Sequence, residues 1–481
     1  MKILVSGATG YIGSKLVCRL VALGHEVTCM VRDLQRVTSA HQGTRIVVAD
    51  CLQPQSLACA MEGIDVAYYL VHSMSAGSSD FQERDVQAAR NFAVAAREAG
   101  VRRIIYLGGL ASENSHVSAH LRSRHETGEV LRKFGPAVTE FRAGIIVGNG
   151  SVSFELVRYL TERLPVMICP RWVITATQPI AIDDTLDYLA AALDCPESIG
   201  KVVEIGGATV ESYRSMMLKY AQARGLRRYL LRVPVLTPRL SSYWLRLVTP
   251  IPTSISRPLV EGLRTEVVCR SSQASQLFPA IRPMSYPDAV AKTLTRTLPD
   301  ETLTESLPSH PTHIAIRRDG ILGDVRQKVT SASIAQVFAV ITELGGSNGY
   351  LYGNVLWRVR GWIDRMLGGV GLRHSRKDAR LSRGDHFDFW CVQDLVPGKR
   401  LLLRAEMKVP GCAWLEFHVL PHPLGGTLVR CCAWFEPRGL FAELYWWILY
   451  PIHVMIFRGM VEAICEKASH IPPVDAALAV H

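Results

Sequence analysis

Along the first third of the chain, short apolar runs alternate with stretches of helical spacing. Residues 3–6, 26–31, 45–49, 66–71 and 103–107 have the length and the β-branched content of buried strands. Between them, residues 14–23, 57–61 and 85–99 place apolar side chains at three- and four-residue intervals, as an amphipathic helix does. Alternation of this kind predicts an α/β fold: a Rossmann-type, doubly wound parallel sheet whose ligand lies across the carboxyl ends of the strands. The pattern continues with a helix over 153–164, a return to the sheet at 179–184, a helix over 185–193 and a sixth strand over 201–206.

A Thr-, Ser-, Pro- and His-rich stretch, 298–313, ends that regime. Beyond it the spacing predicts a strand over 323–329, then a helix capped near Ser331 or Ser333 and closed by Gly345 and Gly346. Four extended stretches follow, 385–393, 400–408, 413–420 and 426–436, with turns marked by Gly398, Pro410-Gly411 and Gly425-Gly426. An apolar helix over about 440–468 closes the series. The expected division is 1–305 for the parallel-sheet domain, with substrate-side elements in 150–305. A linker over 306–322 and an α+β domain with an antiparallel sheet over 323–481 complete it.

Candidate chemistry starts at the first turn. The strand 3–6 runs into Gly7, Ala8, Thr9, Gly10, Tyr11, Ile12 and Gly13 and then directly into a helix. Three glycines there permit a tight turn, close approach of backbone to a pyrophosphate, and helix against strand. The second strand ends in Arg32 and Asp33. An Arg at that tip suits a ribose 2′-phosphate, so NADP is expected, with NAD as the alternative if the two form only a solvated pair. Small or polar residues after the other strands, Asp50, His72, Ser73 and Gly108 among them, are the remaining cofactor candidates.

Residues 1 to about 300 resemble an atypical extended short-chain dehydrogenase/reductase of the NAD(P)H-binding, NmrA-like branch. The resemblance rests on the segments 6–13, 69–74, 104–110, 120–124 and 141–148. It implies that Asp50 meets the adenine and that Val71, His72 and Ser73 line the ribose and pyrophosphate. Members of that family carry a Ser after the fifth strand and a Tyr-x-x-x-Lys on the next helix; the Tyr donates a proton and the Lys holds the nicotinamide ribose. Here those positions read Gly108-Gly109-Leu110, His120 and Arg124. Arg124 retains donors for a ribose or phosphate, and His120 has an imidazole that titrates near neutral pH. Residues 323–481 resemble the helix-grip fold of START and polyketide-cyclase-like (SRPBCC) proteins. In that setting Trp390, Trp414, Trp434, Trp446 and Trp447 line an apolar cavity or fill the core. Asp385, His386 and Asp388 form a polar cluster beside them.

Composition narrows the partners. The 481 residues carry a formal charge of +11 at pH 7 and 48% hydrophobic content, enough for two sizeable cores. Nine Arg against two Glu fall within 224–270, a Pro- and aromatic-rich stretch expected as a wall over the nicotinamide, with Tyr243, Trp244 and Leu247 at helical spacing. No helix-turn-helix, zinc or stacking-sheet signature accompanies that charge, so nucleic acid is not an expected partner. Twelve scattered cysteines without C-x-x-C or Cys/His zinc spacing support neither a disulfide framework nor a metal site, which points to the cytoplasm. Because residues 2–5 already read as a buried strand, no signal peptide is expected. The apolar run 444–457, broken by Pro451 and His453, is short for a spanning helix and is expected as a buried grip helix, with peripheral membrane contact as the second expectation.

The function expected is an NAD(P)H-dependent oxidoreductase acting on a bulky apolar substrate of quinone, enone or isoprenoid type. The alternative is an NADP(H)-binding redox sensor or structural subunit without turnover.

Overall fold

In the computed structural model the described residues are 1–37, 41–72, 81–110, 118–169, 171–232, 262, 265–295, 313–318, 320–372, 381–423 and 425–472. They divide into two units, Met1–Ser306 and Leu307–His481.

Seven parallel strands build the first unit: β1 (Lys2–Ser6), β2 (Glu26–Val31), β3 (Arg45–Val48), β4 (Val66–Tyr69), β5 (Arg103–Gly109), β6 (Ala137–Ala143) and β7 (Val202–Ile205). Their spatial order is β3-β2-β1-β4-β5-β6-β7, which reverses direction between β1 and β4. Both faces of such a sheet are covered by helices, so its strands need apolar residues on each side. In β1, Ile3 and Val5 enter one core and Leu4 the other. The helix α1 (Tyr11–Ala22) buries Leu16, Val17 and Leu20 completely. Each such side chain contributes about 1.5–3 kcal/mol by leaving water. On the opposite face, α2 (Pro54–Met61) and α3 (Phe81–Glu98) seal the second core through Leu57, Ala89 and Phe92.

One strand of this sheet escaped the sequence pattern. The stretch 201–206, expected as the sixth strand, is the seventh, because Ala137–Ala143 is inserted between it and β5. Thr139 and Glu140 make this strand look polar, yet both are buried. Glu140 is neutralised by ion pairs to Arg132 and Arg142, which makes its burial tolerable.

In the second unit a seven-stranded antiparallel sheet is packed against a long terminal helix, the helix-grip arrangement. His313–Arg318, placed by sequence in the linker, forms an edge strand paired with Ile321–Thr330. Ser333 caps the following helix, Ile334–Thr342, in a capping box with Gln336. A further helix, Asn354–Met366, had no counterpart in the sequence pattern. The terminal helix runs from Leu440 to Ser469, as expected over about 440–468, and continues through Pro451. Pro451 is exposed, so its missing N–H falls on the outward side of the helix and not in the core.

The five tryptophans separate. Trp390 and Trp446 fill the core between sheet and helices with Phe389, Phe435 and Phe457. Trp414 and Trp434 oppose each other across two strands, and Trp434 donates to Glu416. Trp447 is exposed. The expected polar cluster also disperses: His386 pairs with Glu406, an Asp385 oxygen accepts from the Ser382 amide, and Asp388 accepts from Tyr350 and the Gly346 amide.

Candidate functional site

At the reversal between β1 and β4 the strands diverge and leave a crevice, the place where a doubly wound sheet takes its ligand. Ser6 Oγ pins the two strand ends together by donating to the Tyr68 carbonyl and accepting from the Leu70 amide. From this point the chain turns through Gly7 into α1. Gly7 has a φ of +69°, and a Cβ there would lie 2.7 Å from the Leu70 carbonyl oxygen. A Cβ on Gly13 would lie 2.1 Å from the Gly7 carbonyl oxygen. The turn therefore excludes side chains at both positions. The first turn of α1 carries no side-chain cap and no acidic residue, so its amides and dipole face an anion without competition. These features fit a pyrophosphate.

Gly7, Gly10, Tyr11, Ile12 and Gly13 line a cleft of about 380 Å³ together with His72, Gly108, His120 and Arg124. Other sequence candidates stand outside its lining. Ala8 is buried, with its carbonyl 3.2 Å from His41 Nε2, a contact with the glycine turn that the sequence did not announce. Thr9 is half-buried in the same turn. Arg32 is exposed at the end of β2, and Asp50 follows β3 with one carboxylate oxygen accepting from the Leu52 amide. Val71 is half-buried after β4; Ser73 lies outside the described residues, as do Tyr243, Trp244 and Leu247. The substrate-side wall brings in Val267, from the stretch 224–270 expected there, together with Ile145, Val152 and Tyr213.

The helix α4 (Ala119–Phe134) delivers His120 and Arg124 to this cleft. Ser118 fixes its start by accepting from the Leu121 amide. Next to it lies α3, whose second turn carries Asp85, buried at the seam. Asp85 Oδ2 is 2.8 Å from His72 Nδ1 and accepts from Ser123 Oγ at 3.1 Å. His72 Nε2 is in turn 3.1 Å from His120 Nδ1. Three titratable groups from three elements thus form one chain, carboxylate to imidazole to imidazole, whose outer member lines the cleft. The carboxylate makes Nδ1 the protonated nitrogen of His72, leaving His72 Nε2 to accept from His120 Nδ1–H.

Both rings are held neutral. Burial, followed by the Arg124 guanidinium, lowers His72 below its usual value against the opposing pull of Asp85. Burial, then Arg124, then His72, holds His120 down at about 3. Arg124 itself donates to the Leu107 carbonyl at 3.4 Å, and Tyr106 donates to the Arg124 carbonyl at 2.9 Å. His125 is 3.1 Å from the Gly109 carbonyl oxygen, a structural contact.

Residues 7–143 match the family model described as NAD(P)H-binding. The first unit contains an NAD(P)H-binding domain. Residues 318–460 match a second family model, described as a protein of unknown function, DUF2867, so the chain joins the two. The photosystem II assembly factor Ycf39 of Cyanophora paradoxa is 25% identical over 240 residues, covering 49% of this chain and 72% of that protein. A 3-diazoavenalumate denitrifying reductase of a Streptomyces species is 36% identical over 114 residues, 22% of this chain and 36% of that protein. Among solved structures, a Citrobacter triphenylmethane reductase in complex with NADP(H) superposes with a TM-score of 0.50 at 18% identity, over 60% of this chain and 99% of that one. At that identity the likeness establishes the fold of the NAD(P)H-binding unit.

Proposed function

We propose that the first unit is an NAD(P)H-dependent oxidoreductase in which the Asp85–His72–His120 chain takes over the proton transfer that a tyrosine performs in related enzymes. The observation that carries this reading is the continuous set of contacts from a buried carboxylate to an imidazole in the cleft. When bound, the reduced nicotinamide supplies a hydride to an electrophilic carbon of the substrate. The two electrons arrive with that hydride, and one proton comes through His120 Nε2. A carbonyl thereby becomes an alcohol, or an activated alkene a saturated pair of carbons, with the oxidised dinucleotide as the second product.

His120, held neutral, is a poor acid alone. At rest the His120 proton sits on Nδ1, so the relay is first loaded by one proton from solvent, taken up at His120 Nε2 as the Nδ1 proton passes to His72 Nε2, and Asp85 stabilises the positive charge this places on His72. When the substrate takes the Nε2 proton, His120 Nδ1 takes one back from His72 Nε2 and both rings return to neutral. Arg124 supplies fixed donors for a ribose or phosphate beside the ring. Leu107, Leu110, Leu121, Ile145, Val152 and Val267 give the cleft an apolar wall, which favours a bulky apolar substrate of quinone, enone or isoprenoid type. Arg32, exposed at the tip of β2, favours NADP over NAD.

Oxidation of NADPH against a panel of quinones and enones tests this reading. Turnover with the parent chain that is lost in His120→Gln, with NADPH still bound, supports it. Tight NADPH binding with no oxidation by any acceptor overturns it and favours a second reading, a dinucleotide-binding protein without turnover. That second reading is supported by Ycf39, matched over 72% of its length, which is named an assembly factor and not an enzyme.

A further inference from the structure

Two helices of the second unit turn an apolar face outward. The Leu440–Ser469 helix buries Ala442, Trp446, Phe457 and Met460 in the core. Its other side presents Phe441, Leu444, Ile448, Ile452 and Met455, the spacing of one helical stripe, and Phe441 is 84% exposed. The Asn354–Met366 helix repeats the arrangement. It buries Trp357, Gly361 and Asp364 and exposes Val355, Val359, Trp362 and Met366. The inner faces meet where the Trp357 and Phe457 rings stand 6.4 Å apart, and Arg360 lies 5.9 Å from the Tyr445 ring, so the two helices are neighbours. Exposed apolar area on this scale exceeds what an unpartnered surface carries.

Exposed charges within the span of the two stripes, 354–366 and 440–458, are of one sign; Glu462 and Glu466, also exposed, lie beyond Met455 toward the end of the long helix. Exposed charged residues of the two helices up to position 458 are Arg358, Arg365 and Arg458, the last also paired with Glu462; the acidic Asp364 and Glu443 are buried. Over 354–366 and 440–458 a second copy would bring no exposed acidic residue to meet Arg358 and Arg365. A layer of anionic headgroups above hydrocarbon meets both the basic groups and the apolar stripes, and Trp362 and Trp447 are residue types suited to that boundary.

Leu440–Ser469 is long and apolar enough to cross a membrane, yet 39% of its apolar window is buried within the protein. Crossing would strip Trp446, Phe457 and Met460 from the core, whereas lying in plane leaves them in place. Pro451 removes the helical partner of the Trp447 carbonyl, which water can replace at headgroup depth but not in hydrocarbon. We propose that this two-helix face docks the protein on an anionic bilayer, in plane, to a depth of roughly 5–10 Å.

The test is sedimentation of the full chain with phosphatidylcholine vesicles and with vesicles containing an equal part of phosphatidylglycerol. Binding to the anionic vesicles is expected to weaken with salt, and to fall at least about tenfold on pure phosphatidylcholine or in Phe441→Glu/Ile448→Glu. The double variant alters only exposed side chains; unchanged thermal unfolding and NADPH binding verify that it is folded. Arg358→Glu/Arg365→Glu is expected to remove the preference for the anionic lipid. Quenching of tryptophan emission by brominated lipid in the parent chain reads the same contact without any substitution. Failure to bind either vesicle, or equal binding by the double variant, overturns the proposal. So does retention through an alkaline carbonate wash, which marks a spanning helix. A parent dimer that Phe441→Glu/Ile448→Glu converts to a monomer without vesicle binding overturns it in favour of self-association.

Discussion

His72 Nε2 lies 3.1 Å from His120 Nδ1, so the two imidazoles share one hydrogen bond on the edge of the dinucleotide cleft. His72 comes from the end of β4 and His120 from the start of α4, and Asp85 on α3 orients the pair.

Removing the outer ring is expected to lower kcat by about 10²-fold or more while leaving the NADPH dissociation constant unchanged. His72→Gln and Asp85→Asn should act through His120, so the His72→Gln/His120→Gln double variant is expected to be no slower than His120→Gln alone. Single-turnover kinetics with NADPH fluorescence separates this outcome from simple loss of cofactor binding.

The depressed imidazoles also set a pH dependence of stability. His120 has its ordinary value of 6.5 in the unfolded chain and about 3 in the folded one. Between these values the unfolded state binds the extra proton, so the contribution is complete above about 6.5 and is lost as pH falls toward 3. Thermal unfolding of the NADPH-stabilised unit is expected to drop across this window, and more shallowly in His120→Gln.

Gly13→Ala places a methyl group against the Gly7 carbonyl, where the backbone has no room. The expected result is a destabilisation of about 1–3 kcal/mol and loss of NADPH binding, read by denaturant melts and fluorescence titration. A variant that binds NADPH as the parent does would show that the pyrophosphate lies elsewhere.

Arg32→Ala tests the nucleotide preference. A charge-assisted hydrogen bond to a 2′-phosphate contributes about 1.5–3 kcal/mol, so NADP affinity is expected to fall by roughly 10- to 100-fold with NAD affinity unchanged. Competitive titration of both nucleotides gives the ratio, and an unaltered preference assigns that role to another residue.

In the second unit, Ser333→Ala removes the hydrogen bond that Ser333 Oγ accepts from the Gln336 amide, leaves the one its own amide donates to the Gln336 side chain, and is expected to cost about 1 kcal/mol. The shift should appear in the unfolding of that unit while NADPH binding remains as it was.

Much of the first unit was legible because the signals are local. The strand–glycine turn–helix from β1 to α1 depends on contacts among neighbours in sequence, and the cap at Ser333 is written within four residues. What escaped depended on compensation from elsewhere. β6 carries Thr139 and Glu140, and the burial of Glu140 rests on its pairing with Arg132 and Arg142. The terminal helix was legible over about 440–468, but which of its sides is buried and which faces outward was not, because that depends on the sheet it packs against.

The sequence by itself determined the alternation of strands and helices, the glycine cradle and the placement of His120 and Arg124 one helical turn apart, since each follows from backbone geometry over a few residues. Only the tertiary structure decided that Asp85 and His72, 13 residues apart, meet His120, 48 residues beyond His72. It alone decided that an apolar helix in the second unit keeps one face bare. The physical reason is common to both. Periodicity specifies that a side chain is apolar or polar and which neighbours share its face, but the partner that face meets is set by strand order and helix packing across long separations in the chain.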